Sequence, residues 1–198
     1  MRPARPPVPQ DPELHGQDRL NRQIRTMSAF VLPPEIASFV QVTEVADGHW
    51  FVDELFQRKF SHPAPKVGRH VITFVRDHEA RLQVASYVHF WRQDVMGFIG
   101  GGSTDGRVLR SLPVPCAELI NKHGGLLRQG LLYAFDRFAT DGLEAFFGHC
   151  GDARAKSVDL AAGFIETEDP HLLVKWVDML SVGRQRTLID RALAIGAF

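Results

Sequence analysis

The sequence predicts an α+β (mixed α/β) domain in which helices flank a central, twisted mixed sheet of six to seven strands. Three observations predict this class. Short β-rich segments alternate with amphipathic segments along the chain. The second half has a strand–helix–strand order, which favours parallel pairing there. The chain has 198 residues, 44% of them hydrophobic and 23% charged, so it can bury the core of a globular domain.

The N-terminal segment, residues 1–27, differs in composition from the rest of the chain. Five of the twelve prolines lie there, arginine and glutamine are frequent, and large apolar residues are scarce. Such a segment buries too little apolar surface to offset the entropy lost on ordering. We therefore expect a disordered or loosely docked tail at residues 1–27 and a single domain over residues 28–198.

The first half of the domain is rich in predicted strands. A first strand is predicted over Ile36–Val45, and an amphipathic helix over His49–Phe60. Three strands then form a meander, and the polar residues 76–79 make the turn between its first two strands. These three strands are predicted at His70–Val75, Leu82–Trp91 and Val95–Gly102. Asp105-Gly106 predicts a further turn.

The second half alternates helices and strands. A short helical stretch is predicted at Cys116–Lys122, and the next helix, Leu126–Ala139, follows the pair Gly124-Gly125. A helix over Asp152–Ala162 has an aspartate at its start and a glycine after its end, which is the expected asymmetry. The remaining predicted elements are the strands Glu144–Cys150, Phe164–Thr167 and Leu172–Val177 and an additional C-terminal helix, Val182–Ile195.

The stretch Gly124–Val177 resembles the second half of the GNAT superfamily of N-acyltransferases. In that family a phosphate-binding turn opens a long helix, and a strand and a short helix with an Arg-Ala pair follow before a Gly-Phe pair opens the next strand. The residues that match this pattern are Arg154, Ala155, Val158, Gly163 and Phe164. Asp152 stands in place of the family's Asn, and the element order extends the resemblance over residues 30–180.

The resemblance implies that acetyl-CoA or another acyl-CoA binds as a substrate at two places. One is the central strand, which in this family splays from its neighbour so that its backbone pairs with the pantetheine arm. The other is the helix start, where small residues and free N–H groups suit a pyrophosphate. The candidate binding residues are Gly101, Gly102, Ser103, Gly124, Gly125, Leu126 and Arg128. The glycines at the helix start are out of the family's usual register, so a loop that merely starts a helix is the alternative.

Three residues are candidates for chemistry. Asp159 stands where many family members have a tyrosine that protonates the departing thiolate, and a carboxyl is a useful acid there only if burial raises its pKa. His89 lies on a predicted strand that lines the acceptor side in the family, and a neutral imidazole can deprotonate an amine. Tyr87 faces the same side because it is two residues away. The alternatives are a solvated aspartate and a histidine on a half-exposed sheet face.

The function implied by the resemblance is transfer of an acetyl or other acyl group from acyl-CoA to the amine of a small molecule or protein. Two alternatives remain open. The first is a GNAT-shaped protein that binds a ligand or partner without acyl transfer. The second is different thioester chemistry in the same cleft, such as hydrolysis or decarboxylation. A fold alone does not choose among them.

Composition excludes several other classes. The formal net charge is zero, so no nucleic-acid partner is expected. We expect no membrane span and no signal peptide, because the sequence has no apolar run of membrane-spanning length and its N-terminal residues lack the apolar core of a signal peptide. The two cysteines fit a reducing cytoplasm, and neither a CxxC pair nor an HExxH motif predicts a metal. The helix at 182–195 packs either on its own domain or on a second subunit, so a homodimer is an open alternative.

Overall fold

A computed structural model of the chain describes residues 30–198, so the predicted tail lies outside the described residues. Residues 30–198 form seven strands and seven helices. The strands are β1 (Val40–Val45), β2 (Arg69–Arg76), β3 (Leu82–Gln93), β4 (Met96–Thr104), β5 (Ala145–His149), β6 (Ile165–Glu166) and β7 (Leu172–Trp176). The helices are α1 (Pro34–Ala37), α2 (His49–Phe60), α3 (Gly106–Ser111), α4 (Val114–Lys122), α5 (Gly125–Ala139), α6 (Ala153–Ala161) and α7 (Val182–Ile195).

All the strands join one sheet in the order β1-β2-β3-β4-β5-β7-β6. Neighbouring strands are antiparallel except β4 and β5, which are parallel. The connection between these two strands contains α3, α4 and α5, and a parallel pair needs a long connection of this kind. The predicted α+β class, with a mixed sheet flanked by helices, is confirmed.

Helices cover both faces of the sheet. On one side, α5 and α6 pack on a core that includes Phe90, Phe138 and Phe146; we call this side the α5 face. On the other, Leu188 of α7 packs on the aromatic rings of β4 and β5, and α2 packs beside it on β2 and β3. We call this second side the α7 face. Side chains alternate between the faces along each strand, so the register decides which side each candidate residue reaches.

Two predicted elements are wrong. The predicted strand Ile36–Val45 begins only at Val40, because residues 34–37 form the short helix α1. A proline at the first helical position suits a helix start. The predicted turn at Asp105-Gly106 is instead the start of α3, where the Asp105 carboxylate accepts a hydrogen bond from the backbone N–H of Arg107. Turns and helix N-caps favour the same residues, so the local pattern did not separate them.

Three further findings bear on the excluded classes. Across residues 30–198, no helix is both long enough and apolar enough to cross a membrane. Within that same range, no group of three or more His, Cys, Asp or Glu side chains is placed to hold a metal ion. Cys116 and Cys150 are free thiols.

Candidate active site where β4 and β5 separate

Strand β4 pairs with β5 only over its first half, Met96–Ile99. The last pair in register is Ile99 with Gly148. Beyond it, β4 continues along β3 to Thr104, and in the described part of the chain no strand lies on its other side. We call the opening between β4 from Gly100 onward and the end of β5 at His149 the cleft. An unpaired strand edge of this kind offers backbone donors and acceptors to an extended ligand.

The predicted strand glycines form a bulge at the edge of the cleft. Tyr87 pairs with Ser103 and His89 pairs with Gly100, so two β4 residues, Gly101 and Gly102, oppose one residue of β3. Gly101 has a φ of +69°, as a glycine-based bulge requires. A Cβ on Gly101 would lie 2.5 Å from the Phe56 ring. A glycine bulge is therefore present here, and at Gly101 only glycine fits.

Ser103 lies beside the bulge but does not offer its hydroxyl to the cleft. Its side chain is opposite Tyr87 and therefore on the α7 face. The hydroxyl is buried and has no hydrogen-bond partner within residues 30–198, while the carbonyl accepts a bond from Ser86 Oγ at 2.8 Å. Its place among the acyl-CoA ligands stays a prediction.

The start of α5 lies close to the bulge. A Cβ on Gly102 would be 3.2 Å from Leu127 Cδ1, which joins the first turn of α5 to β4. Gly124 and Gly125 both have left-handed φ values, +84° and +85°. No side chain caps α5, so the N–H groups of its first turn, including that of Leu126, remain available to an anion.

Arg128 bridges helices in this structure. Its Nε donates to the carbonyl of Ala161 at 3.0 Å, and its Nη1 lies 3.5 Å from the carbonyl of His123. A cavity of about 450 Å³ opens beside it, lined on one side by Lys122 and Gly124. A phosphate contact by Arg128 would require the guanidinium to leave the Ala161 carbonyl.

Asp159 faces the end of β5. It lies on α6, half-buried, and interacts with the Cys150 thiol, which itself donates a hydrogen bond to the backbone carbonyl of Asp152 at 3.3 Å. Burial raises the pKa of Asp159 to about 6, and the contact with Cys150 opposes this rise in part. Burial also raises the pKa of the Cys150 thiol. A carboxyl acid at this position was expected to need a raised pKa, and Asp159 has one.

His89 reaches the cleft from the α7 face. Its Nε2 lies 2.8 Å from the carbonyl of Val67, so we assign the proton to Nε2 and the lone pair to Nδ1. This Nδ1 is 3.8 Å from the Cβ position of Gly100. Burial lowers the pKa of His89, so the ring is neutral.

Tyr87 shares the face of His89, as predicted, but its hydroxyl is engaged elsewhere. The oxygen lies 2.8 Å from Nδ1 of His70, and both side chains are buried. Burial raises the pKa of Tyr87 and lowers that of His70. The sequence interpretation missed His70, which the observed register places opposite His89 on the neighbouring strand.

The cleft thus gathers groups from both faces. Glycines line one edge, Asp159 and Cys150 approach from the α5 face, and the neutral ring of His89 approaches from the α7 face. A carboxyl with a raised pKa therefore approaches one side of the cleft, and a neutral imidazole approaches the other. Such an arrangement suits a displacement in which one group enters as another leaves.

The sequence of this chain matches no protein-family profile, and no curated protein is significantly similar to it. Among solved structures, it is similar to the ribosomal-protein-S18-alanine N-acetyltransferase from Escherichia coli, with 12% identity and a TM-score of 0.48 over 72% of this chain and 97% of that one. It is also similar to a mutant AtaT toxin bound to the C-terminus of the antitoxin AtaR and acetyl-CoA, with 12% identity and a TM-score of 0.40 over 70% and 93% of the chains.

A third similar structure is a chimera of the spermidine N-acetyltransferase SpeG from Vibrio cholerae, with 10% identity and a TM-score of 0.38 over 70% of this chain and 95% of that one. At such values these similarities assign no activity to this chain. The seven-stranded mixed sheet, opened between its parallel strands, has the architecture that the GNAT resemblance implied. The chain therefore has a GNAT-like fold.

Proposed function

We propose that this protein transfers an acetyl or other acyl group from acyl-CoA to an amine of a small molecule or protein. The observation that carries the proposal is the cleft. Beyond Ile99 the edge of β4 is open over Gly100–Thr104, next to a glycine bulge and the uncapped start of α5. An extended arm with amide groups can pair with this edge as an added strand, while its phosphates lie at the helix start.

The proposed ligand set follows this path. Gly101, Gly102 and Ser103 offer backbone groups to the pantetheine arm, and Gly124, Gly125 and Leu126 offer N–H groups to the pyrophosphate. Arg128 joins them if it exchanges the carbonyl of Ala161 for a phosphate oxygen. Backbone N–H groups fixed at the bulge would stabilise the negative charge that develops on the thioester oxygen during attack.

Protons then have to leave the amine and reach the sulfur. Asp159 is proposed as the acid. With a pKa of about 6, roughly one Asp159 carboxyl in ten is protonated at neutral pH, and the protonated form readily gives its proton to a thiolate. An imidazole on the α7 face is proposed as the proton acceptor, and His89 is the one that the sequence predicts. Tyr87 is proposed to hold His70 in place next to that ring.

Calorimetry with acetyl-CoA and longer acyl-CoAs tests binding, and release of free thiol in the presence of a panel of amines tests transfer. We expect Asp159→Asn to bind acyl-CoA as tightly as the original chain and to transfer about 10- to 100-fold more slowly. The matched control is Asp190→Asn, which changes an exposed carboxylate of α7 and should transfer normally. Absence of binding at millimolar acyl-CoA would refute the proposal, and binding without transfer to any amine would identify a binding protein instead.

A further inference from the structure

His149 is the first residue of β5 beyond the end of its pairing with β4. The last pair is Ile99 with Gly148, so His149 and Gly100 are the residues that face each other where the strands part. Phe98 and Phe147 pair one step earlier and pack on α7. Because side chains two residues apart share a face, His149 points to the α7 face at the point where β4 and β5 separate. We call this point the apex of the cleft.

We propose that His149 accepts the proton of the acceptor amine. This inference rests on the acyl transfer proposed above and assigns the base that the cleft requires. His149 is exposed, and its ring has no hydrogen-bond partner among residues 30–198. The ring nitrogen that carries the lone pair is therefore free to accept a proton from an entering amine, and that proton can pass on to water.

His89 is less suited to this task. Its Nε2 is engaged by the Val67 carbonyl, and the residue is 7% exposed. A second proton on that ring would leave a cation in a buried site, which is costly. His89 is better placed to hold the backbone near Gly68, where even a Cβ would come within 2.5 Å of its Nε2.

Two polar residues of the turn before β7 lie near His149. The ring of His171 is 5.7 Å away, and its Nδ1 lies 3.3 Å from the Cys150 carbonyl. The carboxylate of Asp169 accepts hydrogen bonds from the backbone N–H groups of His171 and Leu172 and interacts electrostatically with both histidines. These contacts keep the turn beside His149 in place.

Phe198 covers part of the cleft on the α7 face. Its ring centroid is 6.1 Å from that of His149 and 4.8 Å from that of Phe98. Its carbonyl carbon lies 3.3 Å from the Cβ position of Gly100. Rings at these distances are in contact, so an acceptor amine would reach His149 from the exposed side of its imidazole, away from Phe198.

The proposed step balances as follows. The neutral amine attacks the thioester carbon, a C–N bond forms, and the nitrogen gives one proton to His149. The C–S bond breaks with its electron pair on sulfur, and the sulfur takes the proton held by Asp159. The products are the amide and the free thiol of CoA, and both side chains return to their starting states when the solvent exchanges the proton.

The test compares His149→Ala with His89→Ala in the full chain, with His78→Ala at the exposed β2–β3 turn as control. We expect transfer to fall about 100-fold or more in His149→Ala, with unchanged acyl-CoA binding by calorimetry. Added imidazole should restore part of the rate in His149→Ala, because the vacated site is open to solvent. His78→Ala should transfer normally.

The outcomes separate the two proposals. If the original chain does not bind or transfer an acyl group, the proposed function fails and this inference falls with it. If the original chain transfers normally and His149→Ala keeps its rate, only the role of His149 is refuted. A slow His149→Ala variant that binds acyl-CoA but is not rescued by imidazole also contradicts the role, because it shows that the loss is structural.

Discussion

Asp159 shows how the position of a single residue sets its chemistry. On an exposed helix face this carboxyl would be ionised at neutral pH. Here α6 turns it toward Cys150 at the end of β5, and burial raises its pKa to about 6. The same burial that makes it a proton donor also makes its charged form unfavourable, so Asp159 should affect stability as well as catalysis.

We predict that Asp159→Asn stabilises the protein more at pH 8 than at pH 4. The folded pKa is raised above the unfolded value, so the native state holds the proton longer and the wild type loses stability as the pH rises from about 4 to 6. The asparagine variant lacks this loss, and the gain at pH 8 should exceed that at pH 4 by about 2 kcal/mol. Urea unfolding at both pH values measures it, and an equal difference at the two pH values would contradict the prediction.

Helix α7 is the element that closes the second face of the sheet. Leu188 and Ala192 are fully buried against β4, β5 and β7, and Arg184 makes a bidentate ion pair with Glu144 at 2.7 and 2.9 Å. The apolar periodicity predicted this helix over Val182–Ile195, and the structure has the same bounds. Because Leu188 is 0% exposed, α7 packs on its own domain. The sequence had left open whether this helix packs on its own domain or on a second subunit.

We predict that Leu188→Ala lowers the free energy of unfolding by about 2–4 kcal/mol, since it removes buried apolar atoms and leaves a cavity. Leu193→Ala on the same helix is the matched control. That leucine is 44% exposed, so its truncation should cost less than about 1 kcal/mol. Denaturant titration of both variants gives the comparison. A cost for Leu188→Ala as small as that of the control would show that α7 is not docked as described.

At the scale of the whole molecule, the cleft is a product of topology. An α5 crossover makes β4 and β5 parallel neighbours, and the glycine bulge then turns β4 away from β5. The start of α5 comes to the same end of the sheet, as the approach of Leu127 to Gly102 shows. A ligand lying along β4 would therefore reach the helix start without crossing a core element.

We predict that Gly125→Ala weakens acyl-CoA binding about 10-fold and leaves the fold intact. No atom lies within 4 Å of its Cβ position, so a methyl group meets empty space in the free protein but obstructs a phosphate at the helix start. Gly142→Ala is the control, because Gly142 also has a positive φ and an empty Cβ position. Both variants should lose about 1–2 kcal/mol of stability from the left-handed backbone.

The thermal shift produced by acyl-CoA measures this difference, because a ligand that binds only the native state raises the apparent stability. The shift should be smaller for Gly125→Ala than for Gly142→Ala at the same ligand concentration. Equal shifts for the two variants would remove the start of α5 from the binding site.

The sequence by itself determined the elements and much of their order. Helices α2 and α7 begin and end at the predicted residues, and α6 has the predicted aspartate cap, because these features depend on periodicity and end residues within one segment. Asp159, His89 and the two glycine pairs became candidates through the resemblance to the acyltransferase family, not through these local patterns. The local patterns failed at residues 36–37, which were predicted as strand, and at 105–106, which were predicted as a turn, because short helices form there.

Only the tertiary structure decided how those candidates are used. The point where β4 leaves β5, the burial that raises the pKa of Asp159, and the bond that ties Tyr87 to His70 all join residues far apart in the chain. The place of His149 opposite Gly100 likewise follows from strand register. Register and burial are set by non-local pairing, which no segment carries in its own pattern.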